Sequence, residues 1–457
     1  MNREVFREYD VRGVVDTDLD FSFVYDLGRS VGTYARERGV KTMTVGRDCR
    51  LSSDTYGRAM GQGLTSAGID VLDVGLCATP MLYFSIRHLH ADGGVMVTGS
   101  HNPPEFNGFK ICIGPDTIYG QQIQTLREIM EGGRYHTGSG KFSRTDISRS
   151  YEDTLFHNVT IGKGLHIAVD GGNGVGGLFA VPLLERFGCA VSSIYCEPDG
   201  SFPNHFPDPT VPDNLAEIIA LVKEKKADFG VAYDGDADRM AVVDDSGRTL
   251  TPEEASYIIL SELLKTRKGP IIANVECSRV IDKIAEKFKS KVVRVPVGHT
   301  FLMQAVHKER AVFGVEKSGH YTLPFLFPFD DALAISYYAA CVISRREGKL
   351  SKLMEEIPKF PFGRFSYACP DSKKFQVIEN IKKKLSAEYK NVNTMDGVRI
   401  DLKNGWVLFR ASNTGPVIRL TVEADTLKDF GSIKVDFMKI LETEMKKFGL
   451  GLAEEKK

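Results

Sequence analysis

The run Val95-Met96-Val97-Thr98-Gly99-Ser100-His101-Asn102-Pro103-Pro104 ends an apolar stretch at small residues and leaves one hydroxyl at the stop. The two prolines forbid ordinary helix or ladder pairing beyond it. Ser100 is thereby held at the mouth of a strand, where open α/β sheets bind their ligands. A serine so placed can carry a phosphoryl group or act as a nucleophile; an ST-turn or a helix cap is the plain structural alternative. A second run, Tyr233-Asp234-Gly235-Asp236-Ala237-Asp238-Arg239, alternates three carboxylates with tiny residues. The backbone can curl there until three oxygens converge on one cation. Hard oxygen donors favour Mg²⁺. Without a cation the carboxylates would repel one another and rise in pKa, an effect Arg239 could offset while also gripping a phosphate. An EF-hand fits poorly, because Asp245 stands where its bidentate Glu belongs.

Two further loops carry chemistry. In Gly314-Val315-Glu316-Lys317-Ser318-Gly319-His320, Glu316 and Ser318 are two apart, which puts both on one side of an extended backbone. There they can take a vicinal diol, and His320 can serve as acid or base. A glycine-bounded polar loop is an equally good reading. In Arg410-Ala411-Ser412-Asn413-Thr414-Gly415-Pro416, one guanidinium, two hydroxyls, an amide and backbone N–H groups make a phosphate nest, or simply a hairpin turn.

The elements that must position these loops follow from periodicity. Short apolar runs alternate with helical segments, which predicts strand–helix–strand units and mostly parallel sheets. The first unit offers strands near Thr42–Val45, Ile69–Val74 and Gly94–Thr98, with a helix around Thr55–Ala67. The second begins at Leu165–Asp170, turns tightly at Gly171-Gly172-Asn173-Gly174, and reaches Phe229–Tyr233 after a helix near Asn214–Lys226. The third offers Pro270–Val275, Lys291–Val297 and Ala311–Val315. The last part changes character: closely spaced strands, the Asn-Gly hairpin signal in Lys403-Asn404-Gly405, and flanking helices at Lys374–Glu388 and Leu427–Lys447. The expected fold is α/β: three similar mixed α/β domains of the three-layer, doubly wound type, plus a smaller C-terminal α+β domain, around a central cleft. The expected domains are residues 1–150, 151–253, 254–365 and 366–457, each bearing one of the four loops.

Composition sets outer limits. A chain of 457 residues is too long for one core. Hydrophobic content of 42%, charged content of 26% and a net charge of -1 are ordinary for a globular protein and lack the basic excess of a general nucleic-acid binder. The eight cysteines form no C-x-x-C pair, which suggests reduced thiols and a cytoplasmic location. No run approaches the roughly 20 apolar residues of a membrane span, and the opening residues Met1–Glu4 suggest no secretory leader.

A phosphoryl-carrying serine, a cation cage, a polyol loop and a phosphate nest point together to phosphoryl transfer on a sugar phosphate. In that combination and order the chain resembles the α-D-phosphohexomutase superfamily, and within it the phosphomannomutase/phosphoglucomutase group. The resemblance implies that Ser100 is phosphorylated and, with Asp234, Asp236 and Asp238, ligates Mg²⁺. It implies reversible transfer between the 1- and 6-positions of a hexose phosphate, mannose and/or glucose, through a hexose 1,6-bisphosphate. Arg410, Ser412, Asn413 and Thr414 would hold the non-reacting phosphate, and Glu316 and Ser318 the sugar hydroxyls. The segment Phe6–Gly13 resembles the family's opening and brings in Tyr9 and Arg12; Asn107–Lys110 brings in Lys110; Val297-Gly298-His299 brings in His299. Proton transfer falls to His320, His101, Lys110 and Arg12 in some combination, unranked. Asp330 and Asp331 match a family position of structural character. Where most of the group carry glycine, this chain has Ala237, which is tolerable only at negative φ.

Three other activities stay open: a phosphoglucosamine mutase, a metal-dependent sugar phosphatase with Asp234 as nucleophile and Asp236 as acid–base, and a non-catalytic sugar-phosphate binder. The preferred sugar and the oligomeric state, from monomer upward, are likewise open.

Overall fold

The computed structural model describes residues 1–162, 164–412 and 416–451. By packing, the chain divides into two compact units. One holds Met1–Gly269 with Gly298–Glu356; the other holds Pro270–Val297 with Ile357–Lys457.

The first unit contains a sheet ordered Val11–Val14, Phe106–Ile113, Gly93–Val97, Thr42–Arg47, Asp70–Leu76, Phe142–Arg144. Its middle strands are parallel, as the alternating pattern predicts. Phe106–Ile113 is antiparallel to both of its neighbours, so the sheet is mixed where mostly parallel pairing was expected. The physical reason is the connection. Gly93–Val97 returns through a short loop containing Ser100 rather than through a crossover helix, and a short return enforces antiparallel pairing. One face is covered by the helix Phe21–Arg36, capped by Asp20, whose side chain accepts from Phe23 N at 2.7 Å. Val24, Leu27, Val31 and Ala35 recur at helical spacing and are buried. This helix packs closely on Ser53–Ser66, because a Cβ at Gly28 would lie 2.7 Å from Met60 O.

A second sheet runs Thr249–Leu250, Met240–Asp244, Phe229–Tyr233, His166–Asp170, Ala190–Ile194. Here Phe229–Tyr233 pairs antiparallel with Met240–Asp244 across the Asp-rich loop. The run Gly171–Gly174 is a tight turn into the helix Gly176–Arg186, with Gly172 and Asn173 both at positive φ. The helix Pro252–Thr266 starts in a full capping box between Thr251 and Glu254. Phe313–Val315, Tyr321–Leu323 and Phe327–Asp330 form an antiparallel meander.

The second unit contains the parallel pair Ile271–Asn274 and Val292–Val295. It also holds an antiparallel sheet ordered Phe362–Ala368, Val417–Ala424, Gly405–Ala411, Val398–Leu402, Val392–Asn393. Val398–Leu402 and Gly405–Ala411 close the hairpin signalled by Asn404-Gly405. The helices Asp371–Glu388 and Leu427–Lys446 bury Val377, Ile381, Phe437 and Leu441 with strand residues such as Ile400 and Val407. Among the described residues no helix is long and apolar enough to cross a membrane.

Candidate active site

Ser100 sits at the end of Gly93–Val97 with φ +49. That left-handed conformation costs an L-residue about 1–2 kcal/mol, so its surroundings must enforce it. Its Oγ donates to Asp234 Oδ2 at 2.8 Å, and His101 Nδ1 lies 3.1 Å from the same Oγ. The strand-end serine and the aspartate loop, 134 residues apart, therefore share one point.

All three aspartates are buried. Asp234 Oδ1 accepts from the backbone N–H of Asp238 and of Arg239, both at 3.1 Å, which curls the loop around that carboxylate. Asp236 Oδ2 accepts from Thr79 Oγ1 at 2.5 Å and from Lys110 Nζ at 2.7 Å. Lys110 also donates to Asp238 Oδ2. One ligand oxygen from each aspartate lies within 4.8 Å of the others. Asp236 Oδ1 and Asp238 Oδ1 are buried and accept no hydrogen bond. Two orphaned carboxylate oxygens in an all-oxygen set fit a hard divalent cation. Burial, with the Asp238 and Asp236 charges, pushes the Asp234 carboxyl well up. Burial also opposes charge on Lys110, yet the paired aspartates outweigh it and hold the ammonium above its ordinary range.

Ala237 lies at φ +57, so the condition for a tolerable methyl fails and the loop carries strain at that position. The methyl is accommodated because the flanking backbone is tied down by Asp234.

A second wall comes from the segment between Val315 and Tyr321. Contrary to the extended backbone expected there, it is a tight turn. Gly319 N donates to Glu316 O at 3.1 Å, Glu316 N to His320 O at 2.9 Å, and Gly319 has φ +89. A glycine at the turn's left-handed position overrides the extended spacing. Glu316 Oε1 accepts from Gly298 N at 2.7 Å, and Ser318 Oγ lies 2.9 Å from His320 Nδ1. His320 Nε2 is 3.4 Å from Asp238 Oδ1 and 3.2 Å from Arg239 Nε. Burial would lower the His320 pKa, but the Asp238 carboxylate and the hydrogen bonds raise it to about 10. His299, buried near Lys110 and His320, is held down at about 3. Its ring lies 6.2 Å from that of Tyr9. Gly298 is required here, since a Cβ would come within 2.8 Å of the Tyr9 ring. Arg12 Nη1 donates to Asn102 Oδ1 at 2.6 Å and Nη2 to Asp10 Oδ2 at 2.5 Å, which places its guanidinium beside the Ser100 loop.

Asp330, given only a structural character by the sequence, is buried with both carboxylate oxygens unbonded. Burial and Asp238 push it up to about 7. His320, Asp238 and Asp330 form a second ligand-like cluster. Asp331 caps the helix Ala332–Ser344 and accepts from Tyr151 Oη, a structural role. Thr79 was missed; its signal, a Thr-Pro helix start shortly after a strand, is weak.

In the second unit Arg410 is the penultimate residue of Gly405–Ala411 and its Nε donates to Asp396 at 2.9 Å. Glu276 Oε1 lies 3.9 Å from Arg410 Nη1. Ser412 N donates to Val417 O at 2.9 Å. Asn413 and Thr414 lie outside the described residues.

Comparison with known proteins bears on these loops. Models of the phosphoglucomutase/phosphomannomutase alpha/beta/alpha domains I, II and III match residues 3–135, 149–247 and 251–360. The model of that family's C-terminal domain matches 367–440. A phosphomannomutase/phosphoglucomutase of Pseudomonas aeruginosa is 36% identical, covering 95% of this chain and 94% of that protein. A phosphoglucomutase of Neisseria gonorrhoeae is 36% identical over 97% and 98%. The crystal structure of a phosphoglucomutase/phosphomannomutase family protein from Burkholderia thailandensis superimposes with a TM-score of 0.92 at 31% identity, covering 99% of both chains. With the serine loop, the aspartate loop and all four domain models matched in order, the chain belongs to the phosphoglucomutase/phosphomannomutase family of the α-D-phosphohexomutase superfamily.

Proposed function

We propose that this protein is a hexose-phosphate mutase that moves a phosphoryl group reversibly between the 1- and 6-positions of mannose or glucose phosphate. Ser100 is the carrier. Its Oγ–P bond breaks as a bond forms from phosphorus to the free sugar hydroxyl oxygen, and that hydroxyl's proton passes to a nearby base. The resulting hexose 1,6-bisphosphate turns over and returns its other phosphate to Ser100. The 2.8 Å contact between Ser100 Oγ and Asp234 carries this reading.

Asp234, Asp236 and Asp238, with an oxygen on Ser100, would hold Mg²⁺, the ion their hard oxygen set suits. When bound, that ion supplies Lewis-acid polarisation of the phosphoryl group and neutralises developing charge. Lys110 keeps Asp236 and Asp238 ionised, and Thr79 orients Asp236. His101, next to Ser100 Oγ, and His320, across Asp238, handle protons. Arg12 and Arg239 offer cationic contacts for phosphate. Glu316, Ser318, Tyr9 and His299 line the sugar's place, and Arg410, Ser412, Asn413 and Thr414 hold the phosphate that is not reacting. The matched family models support the four-domain division at about residues 150, 253 and 366.

The phosphatase reading needs Asp234 free to attack phosphorus. That carboxylate instead accepts three hydrogen bonds, from Ser100, Asp238 and Arg239. The test is interconversion of mannose, glucose and glucosamine 1- and 6-phosphates, side by side, with Mg²⁺ and bisphosphate primer. Mannose or glucose phosphates turning over fastest, and a Ser100→Ala variant losing turnover, support the proposal. Full mutase activity in that variant, or release of inorganic phosphate alone, overturns it.

A further inference from the structure

The left-handed backbone of Ser100 is held by a group that no step above uses. Arg50 follows the strand Thr42–Arg47, and its side chain is fully buried. Its guanidinium donates to four carbonyl oxygens of the serine loop. Nη2 reaches Ser100 O at 2.7 Å and Asn102 O at 2.6 Å; Nη1 reaches Pro103 O at 2.6 Å and Phe106 O at 2.8 Å. Asp48 completes the clamp from the other side. Its Oδ2 accepts from Gly99 N at 3.3 Å and lies 3.3 Å from Arg50 Nε, while its Oδ1 accepts from Arg50 N at 3.0 Å and Ser53 Oγ at 2.5 Å. The Phe202 ring lies 5.0 Å from the Arg50 guanidinium carbon. Gly99 makes the approach possible, since a Cβ there would lie 2.5 Å from Arg50 Nε.

Four carbonyls converging on one planar fork is an arrangement only arginine satisfies. Loop carbonyls out of water and without such a donor would drive the loop into another conformation. The Ser100 carbonyl is among the four. Holding it downstream, while Asp48 holds Gly99 N upstream, pins the backbone on both sides of Ser100 and with it the left-handed conformation that aims Oγ at Asp234. The geometry points to Arg50, backed by Asp48, as a positioning residue that sets the attitude of the phosphoryl-carrying serine. It touches neither the reacting oxygen nor the aspartate cage. The inference rests on Ser100 being the phosphoryl carrier.

The test compares the full-length chain with Arg50→Lys, which keeps the charge but loses the fork. Peptide mass spectrometry first establishes phosphate on Ser100 in the parent; its absence there removes the carrier reading itself, and this inference with it. Each phosphoenzyme is then mixed with glucose 6-phosphate in a rapid-quench transfer experiment. An Ångström-scale misplacement of a reacting group costs on the order of 100-fold in rate. The expected result is therefore a fall of about that size in single-turnover transfer and in kcat, with KM changed less than about threefold. Parent-like transfer, or a loss confined to KM, overturns the inference. Should Arg50→Lys fail to fold, amide exchange in the parent decides. The clamp requires the Gly99, Ser100 and Asn102 amides to be protected as strongly as those of Gly93–Val97, and fast exchange at all three overturns it.

Discussion

Lys110 is the buried counter-ion of the aspartate cage, and replacing it by methionine tests that role. Its side chain is 4% exposed, and those of Asp236 and Asp238 are 0% and 1% exposed. Removing the ammonium leaves Asp236 in the interior without its ion-pair partner and Asp238 with only His320 and Arg239 beside it, next to a third carboxylate at Asp234. Breaking a buried pair by deleting one partner costs about 3–5 kcal/mol. With a urea slope of about 3 kcal/mol per M, the unfolding midpoint of the unit holding residue 110 falls by about 1 M or more. That fall is expected in chelator. A divalent cation takes over the neutralisation, so saturating Mg²⁺, about 100 times its Kd, restores about 2.7 kcal/mol. Because Lys110 already neutralises the same two carboxylates from their Oδ2 side in the parent, Mg²⁺ raises the midpoint more in Lys110→Met than in the parent. Tryptophan fluorescence would report mainly on the other unit, where Trp406 lies, so the assay is far-UV circular dichroism across a urea series, with and without Mg²⁺. A shift in chelator below about 0.3 M, or the same Mg²⁺ response in both chains, refutes the counter-ion argument.

The remaining predictions follow from other parts of the fold. The Asp234→Asn variant loses a cage ligand and the acceptor of Ser100, so turnover falls by more than about 1,000-fold and excess Mg²⁺ does not restore it; steady-state kinetics with a magnesium titration checks this. Arg410→Ala removes a charge-assisted phosphate contact of about 2 kcal/mol, and KM for the hexose phosphate rises by about 30-fold; a kcat loss without a KM rise contradicts the assignment. The hydrogen bond to Asp170 raises the His205 pKa despite partial burial. Its folded value thus exceeds the unfolded one. The stabilisation is complete below the ordinary histidine pKa of about 6.5 and is lost as pH rises through the folded value. Urea midpoints measured from pH 6 to 8 should fall in the parent and fall less in His205→Asn.

The sequence announced the chemistry where local rules are strong. Prolines after Ser100 and small residues between the aspartates leave few backbone options, and the Asn404-Gly405 hairpin closes as its dipeptide requires. The loop from Val315 to Tyr321 was misread because two-residue spacing alone does not separate a strand from a turn. The left-handed glycine, Gly319, decided it, and a lone glycine is a weak signal. Partnerships across long separations were invisible. Nothing near residue 110 says that its ammonium will lie between carboxylates more than 120 residues away. Nothing near residue 50 says that its guanidinium will gather the carbonyls of the serine loop. Ala237 shows the limit of propensity: the methyl argued for negative φ, and the hydrogen bonds to Asp234 imposed the opposite sign.

The most direct measurement follows the phosphoryl group during turnover. The protein is incubated with Mg²⁺ and glucose 1,6-bisphosphate, quenched in acid within milliseconds, digested, and its phosphopeptides sequenced by mass spectrometry. The account predicts phosphate on Ser100, removed when glucose 6-phosphate is added before the quench and recovered in the sugar bisphosphate. Phosphate on Asp234, or an unmodified Ser100 in a chain that still interconverts the sugars, would contradict it.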